Sequence, residues 1–583
     1  VDGRRYRPLV ALLAALVGVG LPWGTARAEI FEIGPVDGIL DLTFAYGLMA
    51  RTQERDPDFI GIANGGNAPS VNFDDGTLNY DKGILSNELR LSGDLTLAWR
   101  NFGAFIRGFA FYDFETELYD REWSELSDDA HDLVGAGGKL QEYYLSAHFT
   151  PWGMPIQVRV GNQVINWGEG SFLRFGVDVI NPIDFVSLLR PTTSVRDVFV
   201  PHGMVWAASN VTELIAIEGF YQYEWEPAID PPVGYFFSAD DLIGGDGTNK
   251  YVTGDGLFSD LGTDLDEEFG LPPGTLGFDE TFMRVPSAGR EKPNAQGQFG
   301  VTAQILLPAL GSANLGVHFI NYHSRLPLIS GIAADQAAID AAVAIGSGSP
   351  TEDEKTLALG TLSNETHYLV TYPEDIKMLG LSFDGVLPYT GTLIGIEASH
   401  HFNWPVQILS DAVIETALSP IRNALEDGDP GPIGANQIVS GIDETHKTQL
   451  ALTLAQAFGP RLWSSQSLLV FDVGWVHFDG LSGDVIEDED SWGYSISGFL
   501  TYDGVFGAVS LEPFVAFTHD VSGVTPGPAG AFLEDRKSLS VGVSLNYTNT
   551  ITANITYVSF FGGKPLNAGV DRDFVSFNVR YHY

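Results

Sequence analysis

Apolar and polar residues alternate along this chain in short runs, and the two-residue period returns from near Leu40 to Tyr583. In the last run Val575, Phe577, Val579, Tyr581 and Tyr583 alternate with Ser576, Asn578, Arg580 and His582. Leu539, Val541, Val543, Leu545 and Tyr547 make the same ladder, and Leu40, Leu42, Phe44, Tyr46 and Leu48 line one face of the first run. Successive side chains of a strand point to opposite faces, so each run predicts a strand with one apolar and one polar neighbour. The pattern yields 18 candidates: about 40–48, 85–99, 105–111, 142–149, 155–165, 198–209, 213–223, 298–307, 313–323, 376–386, 391–402, 447–457, 467–477, 491–502, 505–518, 537–547, 551–561 and 573–583.

The connections alternate in length. Residues 51–83, 115–137, 166–197, 226–296, 324–375 and 403–446 are long, whereas those near 100, 151, 210, 310 and 388 are tight turns. Shorter loops follow near 478–490, 519–536 and 562–572. A soluble sandwich gives no reason for this rhythm, but a transmembrane barrel with short periplasmic turns and longer outer loops does. The expected fold is therefore all-β: one transmembrane antiparallel β-barrel of 18 strands, with 16 as the alternative count. Apolar positions would face lipid and polar ones the lumen. A chain closing on an aromatic residue of an alternating strand also looks like the assembly signal of outer-membrane proteins; on a soluble edge strand it would invite aggregation.

Arg4, Arg5 and Arg7 precede an apolar run from Leu9 to Leu21 that ends in Ala26-Arg27-Ala28. This pattern predicts a secretory signal peptide over 1–28, leaving 29–583 as the barrel in the cell outer membrane. The apolar run is shorter than the roughly 20 residues of a spanning helix. The chain has no cysteine, which excludes disulfides and thiolate metal sites. Its formal net charge is −44; removing residues 1–28, which carry four Arg and one Asp, leaves −47. Such acidity excludes nucleic acid as a partner, since phosphate binding needs Lys and Arg. With 12% aromatic residues the chain still has the means to fold.

One stretch departs from the rhythm. From Met154 to Val164 the chain reads as a strand; from Asn166 it turns to Gly, Trp, Glu, Arg and Asp, and Asn181-Pro182-Ile183-Asp184 reads as a capped turn before a short helical run. Residues 166–190 mix Trp167, Phe172, Phe175, Ile180, Ile183, Phe185 and Leu188 with many charges. That is too apolar for a solvated loop and too charged for a dry core. The expectation is that this third outer loop folds into the lumen and narrows it. Its candidate constriction residues are Gln163, Asn166, Trp167, Glu169, Arg174, Asp178, Asn181, Asp184, Arg190 and Arg196. These groups could set up a transverse field that selects solutes, or Glu169 and Asp184 could pair with Arg174, Arg190 or Arg196 to hold the loop to the wall.

Elsewhere, 333–345 and 406–425 carry helix-like patterns, the latter placing Ile408, Ala412, Val413, Ala417, Ile421 and Leu425 near one face. Loop 226–296 is acidic and glycine-rich: it could bind calcium through carboxylates and backbone carbonyls, be bridged by divalent ions to lipopolysaccharide phosphate, or form solvated surface; it fits no D-x-[DN]-x-[DN]-G calcium loop, so the solvated reading is taken and no metal or cofactor is assigned. H-E-x-x-H, G-x-S-x-G and Walker patterns are missing from the sequence. Ser399-His400-His401 and Tyr322-His323-Ser324-Arg325 set Ser beside His, but triads are made in space, and the chain is read as no enzyme.

Several segments together resemble a proteobacterial family of outer-membrane β-barrel proteins known as a domain of unknown function. They are YGLMARTQERDP (46–57), DDGTLNYDKG (74–83), GNQVINWGEG (161–170), INPIDF (180–185), FYQYEW (220–225), NYHSRLP (321–327), YPEDIKMLGLSF (372–383), PFVAFTHDVSGVTPGP (513–528) and FFGGKPLNAGVDRDFVS (560–576). Gly170 stands where the family often has Ser after NWGE, and Tyr583 where Phe is commoner. The resemblance implies transport of hydrophobic or lipid-like solutes in the Gram-negative envelope, with outer-membrane lipid and lipopolysaccharide around the barrel. It also implies a periplasmic lipoprotein and an inner-membrane exporter of the resistance-nodulation-division type as partners. The alternatives are a structural or adhesion-type barrel without transport and an outer-membrane acyl hydrolase.

Overall fold

The computed structural model describes residues 29–168, 172–244, 250–483, 485, 487–528 and 530–583. The expected signal peptide, 1–28, lies outside the described residues, as do Glu169 and Gly170. The alternating runs form 18 barrel strands: β1 (Val36–Arg51), β2 (Gly83–Trp99), β3 (Phe102–Asp113), β4 (Ala136–Phe149), β5 (Ile156–Gln163), β6 (His202–Asn210), β7 (Ile215–Gln222), β8 (Phe299–Leu307), β9 (Ala313–Tyr322), β10 (Ile376–Val386), β11 (Leu393–Gln407), β12 (Ile442–Ala457), β13 (Gln466–Phe478), β14 (Asp490–Thr501), β15 (Val509–Ser522), β16 (Lys537–Tyr547), β17 (Ile551–Phe561) and β18 (Phe574–His582). Each pairs antiparallel with the next, and β18 returns to β1 from Thr43↔His582 to Arg51↔Phe574, which closes the ring. A further strand, Glu29–Ile33, folds back on the end of β1 that β18 does not reach.

Several boundaries differ from the periodicity: β4 begins at Ala136 and β12 at Ile442, before the expected starts at 142 and 447, and β11 runs on to Gln407, past the expected end at 402. Two further differences have a local cause. β6 starts at His202 because Val195–Val198 is a 3-10 turn with a Ser194–Asp197 capping box. β15 starts at Val509, after a turn in which Gly504 and Gly507 take left-handed backbone angles.

The two faces of the strands divide as their chemistry requires. Tyr46, Val205, Val301, Leu379, Leu450, Val541 and Phe577 point outward and are exposed. Arg51, Glu88, Arg90, Gln163, His318, Glu397, Lys447 and Gln449 point inward and are buried. An apolar outer surface with every strand edge paired is what a bilayer demands, since hydrocarbon offers no partner to a free N–H or C=O. At the short-turn rim Trp99, Phe102, Trp152, Tyr389, Trp463 and Phe506 are exposed, the placement of an interfacial aromatic girdle. Among the described residues no helix is long and apolar enough to cross a membrane.

The long loops hold more structure than their sequences suggest. Ile438–Val439, Leu328–Ile332, His367–Thr371, Arg284–Glu291 and Lys250–Val252 make a separate five-stranded sheet drawn from three loops. Helices α1 (Gln336–Gly346), α2 (Glu352–Leu362) and α3 (Ser410–Asp427) join it. The two helix-like patterns are thus α1 and α3. Val406 belongs to β11, Ala412 is exposed, and Ile414, Leu418 and Ala424 complete the buried stripe of α3. α1 and α3 meet through Ala338, Ile339, Ala342, Leu418, Ile421 and Ala424, with Ala334 just before α1 in the same cluster. The reading of 226–296 as solvated surface is corrected: Asp241, Asp260 and Asp266 in it are buried. Its strands are short and pair with distant segments, so no local period announces them.

Candidate functional site

The loop between β5 and β6 does enter the barrel, and its geometry builds from a closed base. Asn181 donates from Nδ2 to the Ile165 carbonyl at 2.6 Å and accepts the Ile165 N–H at 3.2 Å, so one side chain pinches the two limbs together. Asn166, whose Oδ1 lies 3.3 Å from Asn181 Nδ2, is itself exposed. Gln163, at the end of β5, is buried and donates to the Met204 carbonyl on β6 at 3.1 Å. Trp167 packs on the wall beside it. Its ring lies 5.1 Å from that of Phe220, and its indole N–H donates to Glu218 Oε2 at 3.2 Å, which Trp206 also reaches at 3.3 Å. Gly300 beneath leaves the room; a Cβ there would come 2.9 Å from the indole.

From this base the loop crosses the lumen. The Val177 N–H donates to Glu397 Oε1 on β11 at 2.9 Å, Lys447 Nζ on β12 donates to the Phe175 carbonyl at 2.8 Å, and Gln449 Nε2 donates to the Arg174 carbonyl at 3.2 Å. β5 and β12 lie seven strands apart in a ring of 18, so the tip reaches nearly the opposite wall. Gly168 and Gly176 face the Glu397 carboxylate where a Cβ would collide, and Gly168 has a φ of +87°. Lys447 also lies over the Trp404 ring at 3.8 Å. Arg174 pairs within the loop with Asp178 at 3.3 Å. Glu169, which the sequence offered as a partner for Arg174, Arg190 or Arg196, lies outside the described residues.

The returning limb is held by the first wall, and here the pairing differs from expectation. Asp184 pairs with no arginine among the described residues; it caps the helix Phe185–Leu189 by accepting from the Ser187 N–H at 2.7 Å and hydroxyl at 2.9 Å. Asp is a strong helix cap, and this local use needs no partner from the wall. Arg190 instead meets Glu88 of β2 at 3.0 Å and lies 3.8 Å over Phe111, while Thr192 also bonds Glu88. Arg196, largely exposed, approaches Asp94 at 3.7 Å and Glu142 at 3.9 Å. Asp197 sits between Arg90 at 3.3 Å and Arg107 at 3.2 Å. The carboxylates and arginines of β2, β3 and β4, not those within the loop, fix this limb.

Beside the tip lies a cavity of about 590 Å³, bounded by the loop on one side and by β15–β17 with their connecting loops on the other. Phe172, Phe175, Phe532 and Phe560 give it aromatic walls, and Arg536 and Arg572 also line it. Arg536 is bound to Asp520 at 2.6 Å, and Arg572 to the Ser238 carbonyl at 2.7 Å. The Ser–His neighbours are buried wall contacts: His401 Nε2 lies 3.3 Å from Ser399 Oγ, with the Tyr322 hydroxyl, not a carboxylate, 3.1 Å from Nδ1. His318 likewise bridges Thr302 and Ser382, each at 2.9 Å.

Glu88, Arg90, Arg107, Asp197, Glu397 and Lys447 carry this arrangement but were not singled out by sequence. Their signal was present only as charge on the polar face of a strand or, for Asp197, in the turn before one. A family model described as "Protein of unknown function (DUF1302)" matches residues 9–583. Among solved structures the chain is similar to Acinetobacter baumannii OccAB3, with 10% identity, a TM-score of 0.42, and coverage of 94% of this chain and 99% of that one. It is similar to Pseudomonas aeruginosa OccK1 (OpdK) at 10% identity and a TM-score of 0.38, covering 94% and 98%. A third is Pseudomonas aeruginosa OccK2 (OpdF) in complex with glucuronate, at 9% identity and a TM-score of 0.37, covering 94% and 97%. No curated protein matches the chain.

Proposed function

The chain belongs to the family described as "Protein of unknown function (DUF1302)", and from that premise we propose that it is an outer-membrane transport barrel for hydrophobic or amphipathic, lipid-like solutes. The observation that carries this reading is the cavity at the loop tip. Four phenylalanines around about 590 Å³ favour an apolar body, and the arginines in its lining suit a polar or anionic end. A lumen crossed by a loop anchored on both walls would slow water and ions more than a solute that wets the aromatic wall. A periplasmic lipoprotein and an inner-membrane exporter would load or unload the barrel from the short-turn side.

Uptake into liposomes tests the proposal. Barrels reconstituted from wild type should admit long-chain fatty acids or aromatic carboxylates, and Phe532→Asp should cut that uptake about tenfold while ion conductance stays or rises, since about 1.4 kcal/mol of lost binding is tenfold. Wild-type liposomes that admit no lipid, hydrocarbon or carboxylate would refute it. That result would favour a structural or adhesion-type barrel, the reading to which the folded sheet-and-helix cap on the long loops lends weight.

A further inference from the structure

Away from the lumen, the long loops bring four aspartates together. Asp74 and Asp75 come from the loop after β1, and Asp241 and Asp260 from the loop after β7. Carboxylate oxygens of Asp74, Asp75 and Asp260 lie within 4.8 Å of one another, and Asp75, Asp241 and Asp260 line one cavity of about 150 Å³. All four are buried.

An acidic cluster alone says little, but the hydrogen bonding here is incomplete in a telling way. Asp74 is satisfied by the Gly61 N–H at 2.7 Å and by Asn64 at 2.9 Å. Asp260 takes Asn64 at 3.0 Å and the Trp123 indole at 3.2 Å. Asp75 takes the Ser124 hydroxyl on Oδ2 at 3.0 Å, yet no N–H or hydroxyl of a described residue reaches its Oδ1 or Oδ2 of Asp241, and the other group within hydrogen-bonding reach of Asp75 is itself a carboxylate, Asp260. Both residues are only 7% exposed. A buried carboxylate oxygen with no donor costs on the order of 1–3 kcal/mol or more, and here two of them stand among further carboxylates. The neighbouring cations act on the cluster through space but donate to neither open oxygen. Arg284 donates to the Asp260 backbone carbonyl and Arg572 to the Ser238 carbonyl, while Lys250, on the cavity wall, feels the charge of Asp260 and Asp75 without a salt bridge to any of the four among the described residues. Burial and mutual repulsion push the Asp75 and Asp241 carboxyls well above the usual carboxylate range, and burial raises Asp74 to about 7.

We propose that Asp75, Asp241, Asp260 and Asp74 bind a calcium ion that staples the first and fourth long loops together. All four donors are hard oxygens, with no histidine or cysteine among them, which selects calcium or magnesium over transition metals. Oxygens at roughly 2.3–2.6 Å from calcium stand up to roughly 5 Å apart across the ion, in keeping with the grouping of Asp74, Asp75 and Asp260, while Asp241 lies outside that grouping and completes the set from the cavity wall; magnesium demands a tighter octahedron. Ser124 and Trp123 extend the staple to the loop after β3.

The test uses full-length barrel, purified in detergent free of lipopolysaccharide and stripped with EDTA. Calcium titrated from micromolar to 10 mM should bind one ion per chain, raise the melting temperature of the loop layer by about 5 °C, and slow proteolysis within 226–296. Asp75→Asn and Asp241→Asn should each weaken binding at least tenfold and lose the shift. In EDTA both should melt no lower than wild type, because each removes a repelling charge; heat-modifiable gel migration confirms that the barrels are folded. The proposal is overturned if wild type binds no calcium at 10 mM, if magnesium alone stabilises it, or if both Asn variants bind calcium as wild type does.

Discussion

Asp197 is the place where the inward loop depends most on charge, and Asp197→Asn isolates that dependence. The carboxylate is 3% exposed and sits 3.3 Å from Arg90 and 3.2 Å from Arg107. Its Oδ1 and both terminal nitrogens of Arg90 lack well-directed hydrogen bonds, so the attraction is Coulombic. At these distances an effective dielectric constant of about 20 gives about 5 kcal/mol per pair, against several kcal/mol of desolvation for each ion. Asparagine keeps the shape and an oxygen that can accept from Ser194, whose N–H and hydroxyl lie 3.1 and 2.9 Å from Oδ2. Arg107 retains Asp94 at 3.4 Å, but Arg90, 1% exposed, is left without its carboxylate. The cost should sit near the lower end of what breaking a buried pair takes, about 3 kcal/mol, or about a hundredfold rise in the opened population of the returning limb. The chain has no cysteine, so a single Val198→Cys substitution, at a site 7% exposed in wild type, gives a clean probe. Maleimide labelling of the thiol introduced at position 198 should speed up about a hundredfold in the Asn background when closing outpaces labelling. A change below threefold would refute the view that Arg90 and Arg107 hold the loop through Asp197.

Two further outcomes follow from the loop layer. Gly346→Ala should loosen the α1–α3 contact by about 1–3 kcal/mol, because a Cβ there runs into the Ala424 carbonyl; proteolysis within 324–441 should accelerate while the barrel core keeps its melting temperature. In EDTA the stability of the layer should fall as pH rises from about 4 to about 7. Folded Asp74, facing Asp75, Asp241 and Asp260, holds its proton to about 7, whereas the unfolded chain releases it near 3.8. The folded state therefore binds more protons across that window, and the loss is on the order of 4 kcal/mol if Asp74 alone is responsible. Thermal melts at pH 5 and pH 7.5 check the sign; a flat or rising profile contradicts it.

The barrel was legible because the bilayer imposes a short local period on every strand. Tyr46, Val541 and Phe577 alternate with small or polar neighbours whatever they pair with, and loop length reveals which end of the barrel is which. The second layer was not, because its order comes from pairing rather than period. Ile438–Val439 and Lys250–Val252 have too few residues to show alternation, and they become strands only beside Leu328–Ile332 and Arg284–Glu291. The four aspartates are separated the same way: Asp74 and Asp260 are 186 positions apart, and only the packed loops show that they meet.

The inward loop divides along a finer line. Its composition announced that it would leave solvent, since Trp167, Phe172 and Phe175 need a wall and Arg190 and Arg196 need partners. The partners depend on strand stagger, which brings Glu88 to Arg190 and Asp197 between Arg90 and Arg107 across about a hundred residues. At the tip even the residue type is silent. Glu397 takes the N–H of Val177, Lys447 the carbonyl of Phe175, and Gln449 the carbonyl of Arg174. Every residue but proline offers such backbone groups, so nothing in the side chains of 174–177 could name the wall that holds them. The root of the loop is thus fixed by matched charges and its tip by generic peptide groups. Substitutions at Val177 or Phe175 that keep the backbone path should therefore leave the tip anchored and change only the shape it presents to the cavity.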